Sequence, residues 1–168
     1  MVTIDEVASA IGPLTIAERS GRVCLVHFGP DGPAVDTWVE RWYPAEERVR
    51  GAIDWVRRAI EKYFSGDCGA LDAVPVELNG TPFQRKVWEA LRQIPAGSTL
   101  SYADLARRIG EPRAVRAVGA ANGANPVAVI VPCHRVIGTD GTLTGYGGGL
   151  DRKQWLLAHE GVLFRLPL

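Results

Sequence analysis

Two spacings of apolar residues run through this chain, a β-like one early and a helical one from the middle onward. Residues 11–17 and 22–28 are rich in β-formers, and Ser20-Gly21 between them predicts a hairpin turn. Residues 37–43, with two tryptophans, form a further strand candidate. Pro44-Ala45-Glu46-Glu47 has the form of a helix start, proline first and acids in the first turn. Val49, Ala52, Ile53, Val56, Ala59, Ile60 and Tyr63 then recur at helical spacing, which predicts one buried face. Residues 65–79 mix Gly, Pro and polar positions and are expected to connect two units, with a short strand at 74–78.

The second half is punctuated by caps. Thr81-Pro82 places an N-cap before a proline and opens a helix to about Arg92. Ile94-Pro95-Ala96-Gly97 breaks it. Ser101-Tyr102-Ala103-Asp104 resembles a capping box with Asp in place of Glu, opening a helix to Ile109. Gly110-Glu111-Pro112 is a tight turn, and a second helix follows from about Arg113 to Asn122. Two short helices across such a turn form a helix-turn-helix pattern, which many proteins that bind no DNA also carry. The second helix is built of small residues and two arginines. A major-groove reader presents long polar side chains, whereas small residues permit close backbone approach to a minor groove, or tight packing on a core. Residues 127–131 are a β-branched run expected to be a buried strand. Residues 138–149 hold six glycines and one aromatic, Tyr146, as expected of a mobile wall over a pocket. Residues 151–159 are expected to be the last helix, with Gly161 beyond it as a C-cap.

Composition narrows the class. At 168 residues, 46% hydrophobic and 23% charged, the chain fits an ordinary globular protein with a proper core. No apolar run is long enough to span a bilayer, and no leader pattern opens the chain, so a cytoplasmic protein without membrane contact is expected. Cys24, Cys68 and Cys133 are odd in number and widely spaced, which argues for a reducing compartment. Net charge is zero but unevenly placed. Residues 1–80 carry 8 basic and 13 acidic residues, a net of −5; residues 81–168 carry 11 and 6, a net of +5. One half is therefore better suited to meet a polyanion. His27, His134 and His159 do not join cysteines at zinc-ligand spacing, so neither metal nor cofactor is expected.

The densest chemistry is Pro132-Cys133-His134-Arg135-Val136. An imidazole beside a thiol can raise its thiolate fraction, and thiolate is the nucleophile. In an extended segment, however, adjacent side chains point to opposite faces, so a structural cysteine beside a hydrogen-bonded histidine is the competing reading.

Asn125-Pro126, the Pro132–Val136 pentapeptide, Tyr146-Gly147-Gly148-Gly149 and Leu156-Leu157-Ala158-His159-Glu160-Gly161 together resemble the O6-alkylguanine-DNA alkyltransferase family. The likeness is strong over 81–165 and weaker before, where Gly12-Pro13-Leu14 is the main shared feature. It implies an α/β (α+β) fold: an N-terminal ribonuclease-H-like α/β domain at 1–80, and a mostly helical, winged-helix-like C-terminal domain with the helix-turn-helix at 81–168. It implies direct repair of O6-alkylguanine, and of O4-alkylthymine, by a single irreversible transfer to Cys133 after base flipping. His134 would deprotonate the thiol through a water and Glu160 would orient His134. Tyr102 would contact the base and the neighbouring phosphate and protonate the leaving group. Arg116 would fill the vacated stack, with Ala117, Asn122 and Gly123 beside it on the DNA. Asn125 would be a hinge. Val136, Tyr146 and Gly147 would line the base pocket, with the Cys133 and Val136 carbonyls accepting from the guanine amino group. The implied partner is double-stranded DNA bound through its minor groove by a monomer, with cooperative binding along DNA left open.

Some positions depart from the pattern. Gly147 stands where many relatives have Ser, Ala128 where some have Pro, and Asn122 where some have a larger apolar residue. Three rivals compete: a non-catalytic relative, which would lack Cys133; a Cys-His-Glu hydrolase, which would turn over; and a helix-turn-helix regulator, which would not need the cysteine.

Overall fold

The computed structural model describes residues 1–163, so the end of the stretch 81–165 lies outside the described residues. The chain divides into two compact units. The first comprises Met1–Asn79 and Pro126–Ile130; the second comprises Gly80–Asn125 and the chain from Val131 onward. The segment 126–130 was expected within the second domain and belongs to the first unit instead.

In the first unit a mixed sheet has the order β3-β2-β1-β4, built from β1 (Val2–Val7), β2 (Leu14–Arg19), β3 (Arg22–Phe28) and β4 (Arg48–Arg50). β1–β2 and β2–β3 pair antiparallel, and β1–β4 pairs parallel. The β2–β3 hairpin turns at Ser20-Gly21, both at positive φ, as its sequence predicts. Its first strand starts at Leu14 rather than Ile11, because Gly12 at φ 98° redirects the chain.

Residues 37–43 are not a strand. They fall in α1 (Pro33–Trp42), which Pro33 opens at its first position. Val35 and Val39, four apart, are its buried residues, and Trp38 and Trp42 pack on the same core against Val2, Ile4 and Leu25. Each buried aliphatic side chain there contributes about 1.5–3 kcal/mol. Pro44–Glu47 starts no helix either. The Glu46 carboxylate takes the terminal amine and Arg19, and the chain continues as β4. The helix α2 begins only at Asp54 (Asp54–Phe64), burying Val56, Ile60 and Tyr63. Residues 74–78 reduce to a single bridge, Val23 to Val76.

The second unit holds α3 (Pro82–Leu91), β5 (Leu100–Ser101), α4 (Tyr102–Arg108), α5 (Val115–Gly123), β6 (Val136–Ile137) and α6 (Leu150–His159). Thr81 caps α3 in a full capping box with Gln84. Ser101 caps α4 by accepting from the Asp104 amide, while the Asp104 carboxylate accepts from the Ser101 hydroxyl. The chain turns at Gly110 (φ 76°) into α5. Trp88, fully buried, donates from Nε1 to the Ala121 carbonyl at 2.7 Å and ties α3 to α5. β5 and β6 pair parallel.

The run at 127–131 is buried, yet it is not a strand. Its bridges are isolated, at Val127, Ala128 and Val131, with Val127 facing Val26, and the chain turns between them, with Val129 at φ 71°. That value is an outlier for a β-branched residue. The cysteine therefore arrives on a 3-10 turn, Cys133–Arg135, rather than at a strand end. Among the described residues no helix is long and apolar enough to cross a membrane.

Candidate active site

The turn buries three consecutive chemically active side chains, Cys133, His134 and Arg135. All three are held by groups distant in sequence. His134 Nε2 lies 2.8 Å from Glu160 Oε1 at the end of α6. Arg135 donates to both carboxylate oxygens of Glu160, from Nε at 2.9 Å and from Nη2 at 2.8 Å, and its Nη1 donates to the Ile94 carbonyl at 2.6 Å. Such a forked guanidinium–carboxylate pair fixes orientation as well as charge.

Electrostatics set the protonation pattern. Burial pushes the Glu160 carboxyl up, but the hydrogen bonds from His134 and Arg135 outweigh it and hold it below the usual carboxylate range. Burial dominates at His134 and pushes it below its ordinary value despite Glu160. The state that satisfies both is neutral imidazole donating Nε2–H to ionised Glu160. Nδ1 is then an acceptor, and it has no hydrogen-bond partner among the described residues. Burial likewise pushes the Cys133 thiol up; hydrogen bonds from Asn125 and Tyr146 and the charge of Lys153 oppose it in part.

The two sides of the nucleophile's turn are tied to the end of α5. Asn125 Nδ2 donates to the Val131 carbonyl at 2.8 Å, and Asn122 Nδ2 to the Cys133 carbonyl at 3.3 Å. The Cys133 carbonyl also accepts from the Val136 amide, which closes the turn. Asn122 was expected on the DNA face with Arg116, Ala117 and Gly123. Those three are exposed, whereas Asn122 is buried and turned inward. Tyr102, half-buried at the start of α4, packs its ring over Gly119, where an added Cβ would lie 3.8 Å from it. Its oxygen accepts from Thr144 Oγ1 at 3.3 Å. Gly147 is exposed; Tyr146 is half-buried; Val136 is buried.

Sequence reasoning missed Arg135 and Lys153 as site members. Lys153 is fully buried and donates to the Val136 carbonyl at 2.6 Å and the Thr144 carbonyl at 2.9 Å. Burial lowers its pKa to about 8. Its signal was available: Lys153 precedes Leu156 and Leu157 by three and four positions, so it shares their buried helix face. Among the described residues no group of three His, Cys, Asp or Glu could hold a metal ion.

A buried Cys-His-Glu arrangement beside a helix-turn-helix, in a mixed α/β chain of two units, defines the class. Residues 82–162 match the family model described as 6-O-methylguanine DNA methyltransferase, DNA binding domain. Proteins called methylated-DNA–protein-cysteine methyltransferase are 56% identical in Shigella flexneri and 59% identical in Salmonella typhimurium, over 95% of both chains. The crystal structure of the Mycobacterium tuberculosis O6-methylguanine methyltransferase aligns with TM-score 0.79 at 42% identity, over 95% of this chain and 93% of that one. A structure of the Mycobacterium tuberculosis protein in complex with DNA aligns equally well, TM-score 0.79 at 40% identity, over the same shares. The chain belongs to the methylated-DNA–protein-cysteine methyltransferase family.

Proposed function

We propose that this chain repairs O6-alkylguanine in double-stranded DNA by moving the alkyl group to Cys133 Sγ, once per molecule. The observation that carries the reading is the state of His134: neutral, held at Nε2 by ionised Glu160, with Nδ1 unpartnered among the described residues. The Cys133 thiol is held protonated by burial, so its proton must leave as it attacks. His134 Nδ1 takes that proton through a water, and Glu160 stabilises the charge that forms. Sulfur then attacks the alkyl carbon, the S–C bond forms, and the carbon–O6 bond breaks with its electron pair going to the base. Because the Tyr102 oxygen accepts from Thr144, its own hydrogen is available to protonate the leaving guanine. The product is a thioether, which offers no easy exchange route, so the protein is consumed.

The DNA face in this reading is the exposed side of α5. Arg116 fills the space left by the flipped base, and Ala117 and Gly123 allow close backbone approach in the minor groove. Val136, Tyr146 and Gly147 line the base pocket, and Asn125 is the hinge between α5 and the nucleophile's turn. O4-alkylthymine enters the same pocket. The protein acts as a cytoplasmic monomer, with or without cooperative binding along DNA. We also read the first unit as ribonuclease-H-like, which the order β3-β2-β1-β4 supports, and the second as winged-helix-like, which the β5–β6 pair beside the helix-turn-helix supports. The test is intact mass after incubation with an oligonucleotide containing O6-methylguanine. One added methyl, mapped to Cys133 and reaching a plateau at one per protein under excess DNA, is expected. Continued turnover past that plateau would revive the hydrolase reading.

A further inference from the structure

We infer that Arg135 is a positioning residue for the base: it keeps His134 Nδ1 free of a proton by supplying, as a fixed cation, the positive charge that Glu160 would otherwise take up as a proton. The inference rests on the proposed function and deepens it at the same site.

The arrangement of the three side chains leads there. Those of His134 and Glu160 are fully buried, and that of Arg135 is 5% exposed. One carboxylate oxygen is shared: His134 Nε2 lies 2.8 Å from Glu160 Oε1, and Arg135 Nη2 donates to the same atom at 2.8 Å. Arg135 Nε covers the other oxygen at 2.9 Å. The guanidinium is also anchored away from the carboxylate, because its Nη1 donates to the Ile94 carbonyl at 2.6 Å. Lys153, a second buried cation, is committed to the Val136 and Thr144 carbonyls.

Charge balance gives the role. Burial works to protonate Glu160, and the hydrogen bonds from His134 and Arg135 oppose it. A buried carboxylate stays ionised when a cation is seated on it; stripped of that cation, it takes up a proton instead. A guanidinium stays charged in proteins, so it holds the place without a proton of its own to give.

Consider the His134–Glu160 pair with one proton added. If that proton sits on Oε1, it donates to Nε2, and the ring's own hydrogen must stand on Nδ1. If it sits on the ring, both nitrogens carry hydrogen. In either arrangement Nδ1 is protonated and cannot receive the proton of Cys133. A protonated Glu160 would hold the ring in the same place, so orientation alone does not call for the arginine. The protonation state of the base does.

The test reads the ring directly. By nitrogen NMR of histidine-labelled protein at neutral pH, His134 Nδ1 of wild type is expected to be unprotonated. In Arg135→Met it is expected to carry a proton, and single-turnover methyl transfer is expected to fall about a hundredfold. Arg135→Lys keeps the charge without the fork, so Nδ1 is expected to stay unprotonated and transfer to remain within about tenfold of wild type. The double variant Arg135→Met/Glu160→Gln has neither a carboxylate to protonate nor a cation left alone, so it is expected to fold. Its transfer is expected within about threefold of Glu160→Gln alone, because both changes act on one charge. A protonated Nδ1 in wild type, an unprotonated one in Arg135→Met, a hundredfold loss in Arg135→Lys, or a double variant far slower than Glu160→Gln would each overturn the inference. Should Arg135→Met fail to fold, the wild-type ring, the lysine variant and the double variant decide; loss of folding in the double variant as well would make Arg135 a structural residue and overturn it. Failure of wild type to take methyl from DNA would instead sink the proposed function and leave the ring measurements standing.

Discussion

Each unit of this protein buries a cysteine, and only one of the two is built to react. Cys24 lies in β3, fully buried in regular sheet, with Sγ–H donating to the Ala17 carbonyl at 3.4 Å. Burial pushes its thiol up to about 12. Cys133 is buried almost as deeply, and burial pushes its thiol up as well. Burial alone therefore does not separate them. The difference is in the neighbours. Around Cys24 the nearest polar groups, Tyr43 with Glu77 and Asn79, are bonded to one another: the Tyr43 hydroxyl donates to Glu77 Oε1 at 2.8 Å and accepts from Asn79. Beside Cys133, on the irregular backbone of a 3-10 turn, stand a neutral imidazole whose Nδ1 has no partner among the described residues and a lysine. A buried thiol becomes a nucleophile when the fold supplies somewhere for its proton to go.

The sharpest way to break this contrast is to exchange the cysteines' fates. Cys133→Ser is expected to lower methyl transfer by at least about a thousandfold, since a hydroxyl is a far poorer nucleophile, while DNA binding by gel shift is retained. Cys24→Ala is expected to leave transfer within about twofold and to cost about 1 kcal/mol of stability. Normal transfer by the first variant, or its loss in the second, would undo the comparison.

Next in size is Glu160→Gln. The amide can still hold His134 but cannot stabilise its charged form, so transfer is expected to fall about a hundredfold. The same variant bears on acid stability. Glu160 is held below its ordinary value of 4.5, so the folded state takes up its proton less readily than the unfolded one. Its stabilising contribution is full above pH 4.5 and is lost as pH falls toward the lowered folded value. Wild-type melting temperature should drop more steeply below pH 4.5 than that of Glu160→Gln; parallel curves would contradict the assignment.

Arg116→Ala is expected to slow repair in duplex DNA about tenfold and reaction with free O6-methylguanine base less than twofold, because the free base needs no flipping. Equal losses would give Arg116 another task. The smallest effect concerns the first unit's cluster. Tyr43→Phe strips Glu77 and Asn79 of a partner and should cost about 1–2 kcal/mol in denaturant unfolding, with no measurable change in transfer. A change in transfer rate would mean that the first unit's polar cluster serves the reaction.

Legibility followed the range of the forces involved. The caps Thr81 and Ser101 and the glycines 110 and 161 act within a few residues, and the helices they bound stand close to where the sequence puts them. Propensity points away from α1, because tryptophan, threonine and valine favour strands, although Val35, Trp38, Val39 and Trp42 have a helical spacing. The composition of 127–131 predicts a strand, but the run makes only isolated bridges around a turn at Val129, so it is shaped by its neighbours rather than by its propensity. At the site, the Cys133-His134 pair is adjacent in sequence, whereas Glu160 entered by resemblance and not by spacing. Arg135, Lys153 and the inward turn of Asn122 depend on contacts between residues 11 to 25 positions apart, which no local pattern encodes.

The membership of Pro126–Ile130 in the first unit bears on the order in which the chain can fold. The Val26 amide donates to the Pro126 carbonyl at 2.9 Å, and Val26 bridges to Val127. A ribosome that has released residues 1–79 has therefore not yet supplied everything the first unit needs; the 46 residues Gly80–Asn125 must emerge before its last segment does. Closing so long a loop is slow relative to forming the local hairpin. The nascent first unit should wait with an incomplete edge at β3, its Val26 amide open to hydrogen exchange. Protection of that amide should appear only in chains extended beyond Ile130, which makes Val26 a timer for completion of the first unit.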